Sequence, residues 1–129
     1  MSFATEISTI MNANTEINKS VYGIYRETTG TEFDSKKNWI IFTYKRGYNI
    51  AVLGDKNAIN IYTLYTEVYT NNGSVTESIS DKLRTYLTDF TSNTITDITF
   101  TNETHSNIAD NNNDVAYVNL MEFEVMAQY

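Results

Sequence analysis

In the stretch DVAYVNLMEFEVMAQY, Asp114 to Tyr129, apolar and polar positions alternate. Side chains alternate across a strand, so Val115, Tyr117, Met121, Phe123, Val125, Ala127 and Tyr129 share one face, interrupted only by Asn119. That face predicts core. The opposite face reads Ala116, Val118, Leu120, then Glu122, Glu124, Met126 and Gln128, so it is apolar in its first half and mostly polar afterwards. A strand of about 15 residues at roughly 3.3 Å each measures about 50 Å, whereas a compact chain of this size has a diameter below ~40 Å. The strand must bend or leave its own domain, and its doubly apolar half predicts cover from another copy of the chain.

The same reading runs back along the chain. In SFATEISTIMNANTEIN, Phe3, Ile7, Ile10, Met11 and Ile17 recur at helical spacing and predict an amphipathic helix, weakened in its middle by Asn12 and Asn14. A short strand or irregular connection follows around Val21 to Tyr25, then a loop. WIIFTYKRGYNIAVLGD predicts a hairpin: a strand from Trp39 to Lys45, a turn at Arg46 and Gly47, and a return strand from Tyr48 to Leu53. From Ala58 to Thr70, Ile59, Ile61, Tyr65 and Tyr69 alternate against Tyr62, Leu64 and Val68, a long strand.

Asn71, Asn72 and Gly73 break that strand, and Ser74 to Glu77 matches a capping box. Ile79, Leu83, Tyr86, Leu87 and Phe90 then recur at helical intervals, predicting a helix from about Val75 to Phe90. Ile95 to His105 reads as strand, with Ile98 and Phe100 opposite Asp97, Thr99 and Thr101, and HSNIADNNND as a polar loop before the final strand. No internal repeat is present. The order helix, strands, helix, strands predicts an α+β fold, an antiparallel sheet of long strands with two helices packed on one face. The strands over 58–70 and 115–128 are expected to share that sheet.

Composition sharpens this picture at a few points. The 129 residues are enough for one core and too few for two ordinary domains, so 1–129 is expected to be a single domain. There is no cysteine, which excludes disulfides and thiolate chemistry. Ten tyrosines and six phenylalanines beside many β-branched residues favour half-buried sheet. The start MSFATEISTIM lacks a basic leader with an apolar run, and no apolar run approaches a membrane span, so neither secretion nor a membrane partner is expected.

The net charge is −7, and its distribution matters more than its size. Seven of the nine basic residues lie between Lys19 and Lys56, the other two are Lys82 and Arg84, and none follows. Beyond Arg84 come Asp89, Asp97, Glu103, Asp110, Asp114, Glu122 and Glu124. Such halves can meet within one fold or between neighbouring copies, or simply give an acidic solvated surface. No basic stripe with interleaved aromatics argues for sequence-specific nucleic-acid binding.

Candidate chemistry is sparse. His105 is the only histidine, beside Glu103 and Ser106, and adjacent strand residues point to opposite faces, so the three are not expected to converge as a nucleophile and base. Asp110 and Asp114 around Asn111, Asn112 and Asn113 offer oxygen ligands but lack the spacing and central glycine of a calcium loop. Glu122 and Glu124 lie on one face about 7 Å apart, a separation also found between glycosidase carboxylates, yet solvent-facing pairs of this kind are routine. Gly47 and Gly54 stand alone and make no phosphate-cradling loop. The chain is not expected to be an enzyme, and no cofactor or metal is expected.

The helix SDKLRTYLTDF, the strand TITDITFTNETH, the loop NIADNNND and the strand VAYVNLMEFEVMAQY together resemble the tail terminator, or tail completion, proteins of long-tailed bacteriophages. The likeness runs from about Phe3 to Tyr129 in element order and hydrophobic pattern, without a signature motif. It implies a homo-oligomeric ring, usually of six copies, that caps the tail tube, meets the head connector or adaptor protein and lets DNA pass. It implies residence in the virion after assembly in the host cytoplasm. NIADNNND becomes a candidate lumen or interface loop, and Lys45 to Gly47 a candidate rim. The interface candidates are Lys45, Arg46, Asp110, Asp114, Val118, Leu120, Glu122 and Glu124. A head-tail adaptor or another neck ring component is the near alternative, and a small intracellular ligand-binding module with a tyrosine-lined pocket the distant one.

Overall fold

Hydrophobic alternation on four long segments builds one five-stranded sheet of order β1-β2-β3-β5-β4. The computed structural model describes residues 2–27, 37–50, 59–109 and 115–128, with the backbone alone at 48–50. Its elements are α1 (Phe3–Ala13), α2 (Thr15–Ser20), β1 (Gly23–Arg26), β2 (Trp39–Ile50), β3 (Ile59–Thr70), α3 (Gly73–Leu87), β4 (Ile95–Ala109) and β5 (Val115–Ala127). β1 pairs parallel with β2, and every other neighbour is antiparallel. The α+β class holds, and β3 and β5 pair directly from Asn60↔Ala127 to Thr70↔Tyr117.

The helices share one face of the sheet. α3 buries Thr76, Ile79, Ser80, Leu83 and Leu87, the stripe expected at helical spacing. Phe3 of α1 stacks on Tyr62 of β3 at 4.0 Å and meets Tyr44 of β2 edge-on at 4.9 Å. The Tyr86 hydroxyl donates to the Ile10 carbonyl at 2.8 Å, tying α3 to α1. Beneath them lie Ile40, Phe42, Leu64, Val68, Ile98, Met121, Phe123 and Val125, all essentially inaccessible to water. Burying such side chains stabilises by roughly 1.5–3 kcal/mol each, so this layer carries the fold.

Several boundaries differ from the sequence reading, each for a local reason. The N-terminal helix is two helices, because Asn14 ends α1 and its side chain accepts the Ile17 N–H at 3.0 Å to start α2. Asn72, and not Ser74, caps α3, accepting from the Ser74 and Val75 N–H groups at 2.9 and 3.3 Å. α3 ends at Leu87, before Phe90, and Asp89 turns the chain with φ 64°.

The hairpin expected at Arg46 and Gly47 is absent: β2 runs through to Ile50, with a register shift between Arg46 and Asn49. Gly47 is a bulge residue, since a Cβ there would lie 2.8 Å from the Ile61 carbonyl oxygen. The return strand expected at Tyr48 to Leu53 is thus replaced at 48–50 by outgoing strand, and 51–53 lie outside the described residues. β4 likewise runs on through His105 to Ala109, where a loop was expected, because it stays in register with β5 as far as Ala109↔Val115.

Candidate assembly surface

The strand register separates two faces, and the candidate residues sort between them. The face without helices carries four cross-strand rows: Trp39–Tyr69–Val118–Ser106, Ile41–Glu67–Leu120–Thr104, Thr43–Tyr65–Glu122–Asn102 and Lys45–Thr63–Glu124–Thr99. Lys45, Val118, Leu120, Glu122 and Glu124 therefore lie on one surface. Lys45 stands two strands from Glu124, about 10 Å between Cα atoms. Arg46 points the other way, and its guanidinium donates to the Asn60 side-chain oxygen at 3.1 Å, so the two halves of the expected rim separate. Asp110 and Asp114, with 111–113 between them, lie outside the described residues.

The apolar half of β5 is not exposed where the alternation predicted. Ala116 and Val118, expected to await another copy, are 0% and 5% exposed within the single chain. Val118 lies directly opposite Tyr69, with Trp39 one strand further, and Ala116 lies opposite Ile108. Val115 and Tyr117, expected in the core, are instead 42% and 38% exposed. α3 begins at Gly73, over the Tyr117 ring, and so reaches no further along β5. Among the described residues the exposed large apolar groups are Tyr22, Val75, Ile108, Val115 and Tyr117. All five lie at the end of the sheet where β1 and β2 begin, β3 and β4 finish and α3 starts.

Charge on the helix side is partly matched inside the chain. Arg84 reaches Asp81 at 2.6 Å and Glu103 at 3.0 Å, and the ring nitrogen Nε2 of His105 lies 2.9 Å from the other Glu103 oxygen. Glu103 and His105 are two residues apart on one strand face and do meet, while Ser106 points away, so the expected divergence holds only for Ser106. The signal was present in the period-2 spacing of Glu103 and His105. Among the described residues no hydroxyl joins this group. It is a half-exposed ion network across α3 and β4, buttressed by Arg84 lying 5.5 Å over the Phe100 ring.

On the open face the Tyr69 hydroxyl donates to the Glu67 carboxylate. Burial first, and then that carboxylate, push the Tyr69 hydroxyl well above its ordinary pKa, so it stays protonated. Among the described residues no group of three or more His, Asp or Glu is placed to hold a metal ion. Glu122 and Glu124 face the same way, between Tyr65 and Asn102 and between Thr63 and Thr99, on an open sheet surface. Among the described residues a shallow groove lies between α2 and α3, lined by Asn14, Glu16, Asp81, Lys82, Thr85 and Tyr86. Among the described residues no helix is long and apolar enough to cross a membrane.

The buried polar side chains were only partly foreseen. Asn119, noted as the interruption of the apolar face of β5, is 1% exposed, and neither polar atom of its amide has a partner. Thr66 and Ser80, buried on the same side of the sheet, also have unpartnered hydroxyls. Glu6 of α1 is 8% exposed and accepts from Ser92 at 3.1 Å and from Thr94, tying the first helix to the approach to β4.

No family model matches the chain, and no curated protein matches it. Its architecture is similar to that of a chain in the virion of the native gene transfer agent (GTA) particle, with a TM-score of 0.55 at 12% identity. The similarity covers 98% of this chain and 99% of that one, so the two share a fold from end to end.

Proposed function

We propose that this chain is a structural subunit of a phage-like particle, forming a ring at the neck that terminates the tail tube and joins it to the head connector. The end-to-end likeness to a chain of the gene transfer agent virion carries this reading. The element order, which resembles tail terminators, supports the finer assignment and a ring of six copies. The exposed apolar end and the open face bearing Lys45, Leu120, Glu122 and Glu124 give the chain two further surfaces for neighbouring proteins of the particle.

Within such a ring the net charge of −7 suits a passage for DNA, because like charge denies the phosphates the counterion release that drives binding. The chain acts by assembly and performs no catalysis. The test is co-sedimentation with polymerised tail-tube protein of the same particle. The chain is expected to bind at tube ends only, at a constant number of copies per tube. A chain that leaves tubes unbound, or coats them along their length, overturns the assignment.

A further inference from the structure

The sheet ends in two unlike edges. On one side β1 contributes four residues; on the other β4 contributes 15. The first part of β4 is closed by the chain itself, for the Ile95 and Ile98 carbonyls accept from Ser92 and Asp89 at 2.9 Å. Beyond Ile98, among the described residues, β4 has backbone partners only on β5. Both register shifts lie at or before Asn102, so Asn102–Ala109 is a regular strand. All of it except Glu103 is exposed, and it contains no Lys, Arg or Pro.

Natural edge strands are blunted by lysine, proline, bulges or short length, because a bare row of N–H and C=O groups recruits another strand. Asn102–Ala109 has no lysine, proline or bulge, and its one carboxylate, Glu103, is turned to the helix side and held by Arg84. We propose that this edge of β4 pairs with the β1–β2 edge of a second copy of this chain, continuing the sheet from subunit to subunit. The inference rests on the ring reading and names its interface.

Direction and charge select a second copy as the occupant. β2, β3, β5 and β4 alternate in direction and β1 runs with β2, so β4 runs opposite to β1. Copies related by rotation about an axis along the strands keep their strand directions, so the junction is antiparallel, the more stable pairing. It joins two different edges of one chain, the heterologous contact that closes into a ring. The β1–β2 side carries Lys45, Arg46 and Arg26, the last 3.6 Å from Glu27, whereas β4 and β5 carry Asp97, Glu103, Glu122 and Glu124 and no Lys or Arg. Opposite signs at the two edges favour this register of meeting over like edges meeting.

Hydrogen exchange read by mass spectrometry tests the junction, comparing the chain diluted to monomer with the chain assembled. Outward-facing amides between Thr99 and Ala109 are expected to exchange at least tenfold more slowly in the assembly. The double variant Thr104→Lys with Ser106→Lys changes two exposed side chains; it is expected to keep the parent circular dichroism and Tm and to remain monomeric. Rings in which β4 exchanges as fast as in the monomer overturn the inference and leave the ring reading standing. So does a double variant that assembles as the parent does. A parent chain monomeric at every concentration, alone and with tail-tube protein, overturns both.

Discussion

Replacing Asn119 by leucine should stabilise this protein. The amide is 1% exposed, sits between Val68 and His105 in the strand register, and has neither polar atom paired. A buried polar group without a partner costs roughly 1–3 kcal/mol. Leucine matches the shape of asparagine and continues the apolar row of Met121, Phe123 and Val125, so strain from the added bulk stays below about 1 kcal/mol. The net gain is then about 1–3 kcal/mol. With an m-value near 2 kcal/mol/M in urea, a gain of about 2 kcal/mol moves the midpoint up by roughly 1 M at unchanged m. Thr66→Val, nearly isosteric and removing another unpartnered hydroxyl, should raise stability by about 1 kcal/mol. Urea titrations followed by Trp39 fluorescence read both variants. A loss of more than about 1 kcal/mol in Asn119→Leu refutes the reasoning, since it would mean that the amide is hydrogen-bonded in solution.

Gly47→Ala drives a methyl to 2.8 Å from the Ile61 carbonyl and should destabilise by about 1–3 kcal/mol, read from the same titrations. Asn72→Ala removes the cap of α3 and should lose about 1 kcal/mol, with Asn72→Asp restoring most of it. A double-mutant cycle on Arg84 and Glu103, which are 36% and 24% exposed, should give a coupling of only about 0.5–1 kcal/mol, smaller at high salt. Tyr69 has a folded pKa raised above the unfolded value of about 10, so its contribution is complete below that pH and is lost as pH climbs beyond it. Denaturation between pH 9 and 11 should therefore show a falling stability whose slope lessens in Tyr69→Phe.

Much of the fold was legible because long segments carry clean periods. Ile61, Tyr65 and Tyr69 against Tyr62, Leu64 and Val68 placed β3 and both its faces, and Ile79, Leu83 and Leu87 placed α3. Single residues that set boundaries were harder to read. Gly47 signals a turn and a bulge with equal force, and only the pairing of β2 with β3 decides between them. Asn14 and Asn72 favour caps, but which of several polar residues caps depends on where the next element packs.

The candidate surface was legible in part. Lys45, Leu120, Glu122 and Glu124 do share a face, as alternation requires once the strand register is known. At the start of β5 the exposed and buried faces were interchanged, because Val118 lies across the strands from Tyr69 and Trp39, remote in sequence, and the exposure of Tyr117 depends on where α3 starts. Periodicity reports faces. It does not report how far a helix reaches along a strand.

The central claim is that this fold works as one subunit of a closed ring. Native mass spectrometry of the purified chain across a concentration series, with electron microscopy of the same samples, tests it most directly. The account predicts a single discrete multimer, with six copies expected, seen end-on as a ring with an open centre. A chain that stays at 14.8 kDa throughout, or that grows without limit into filaments, would contradict it.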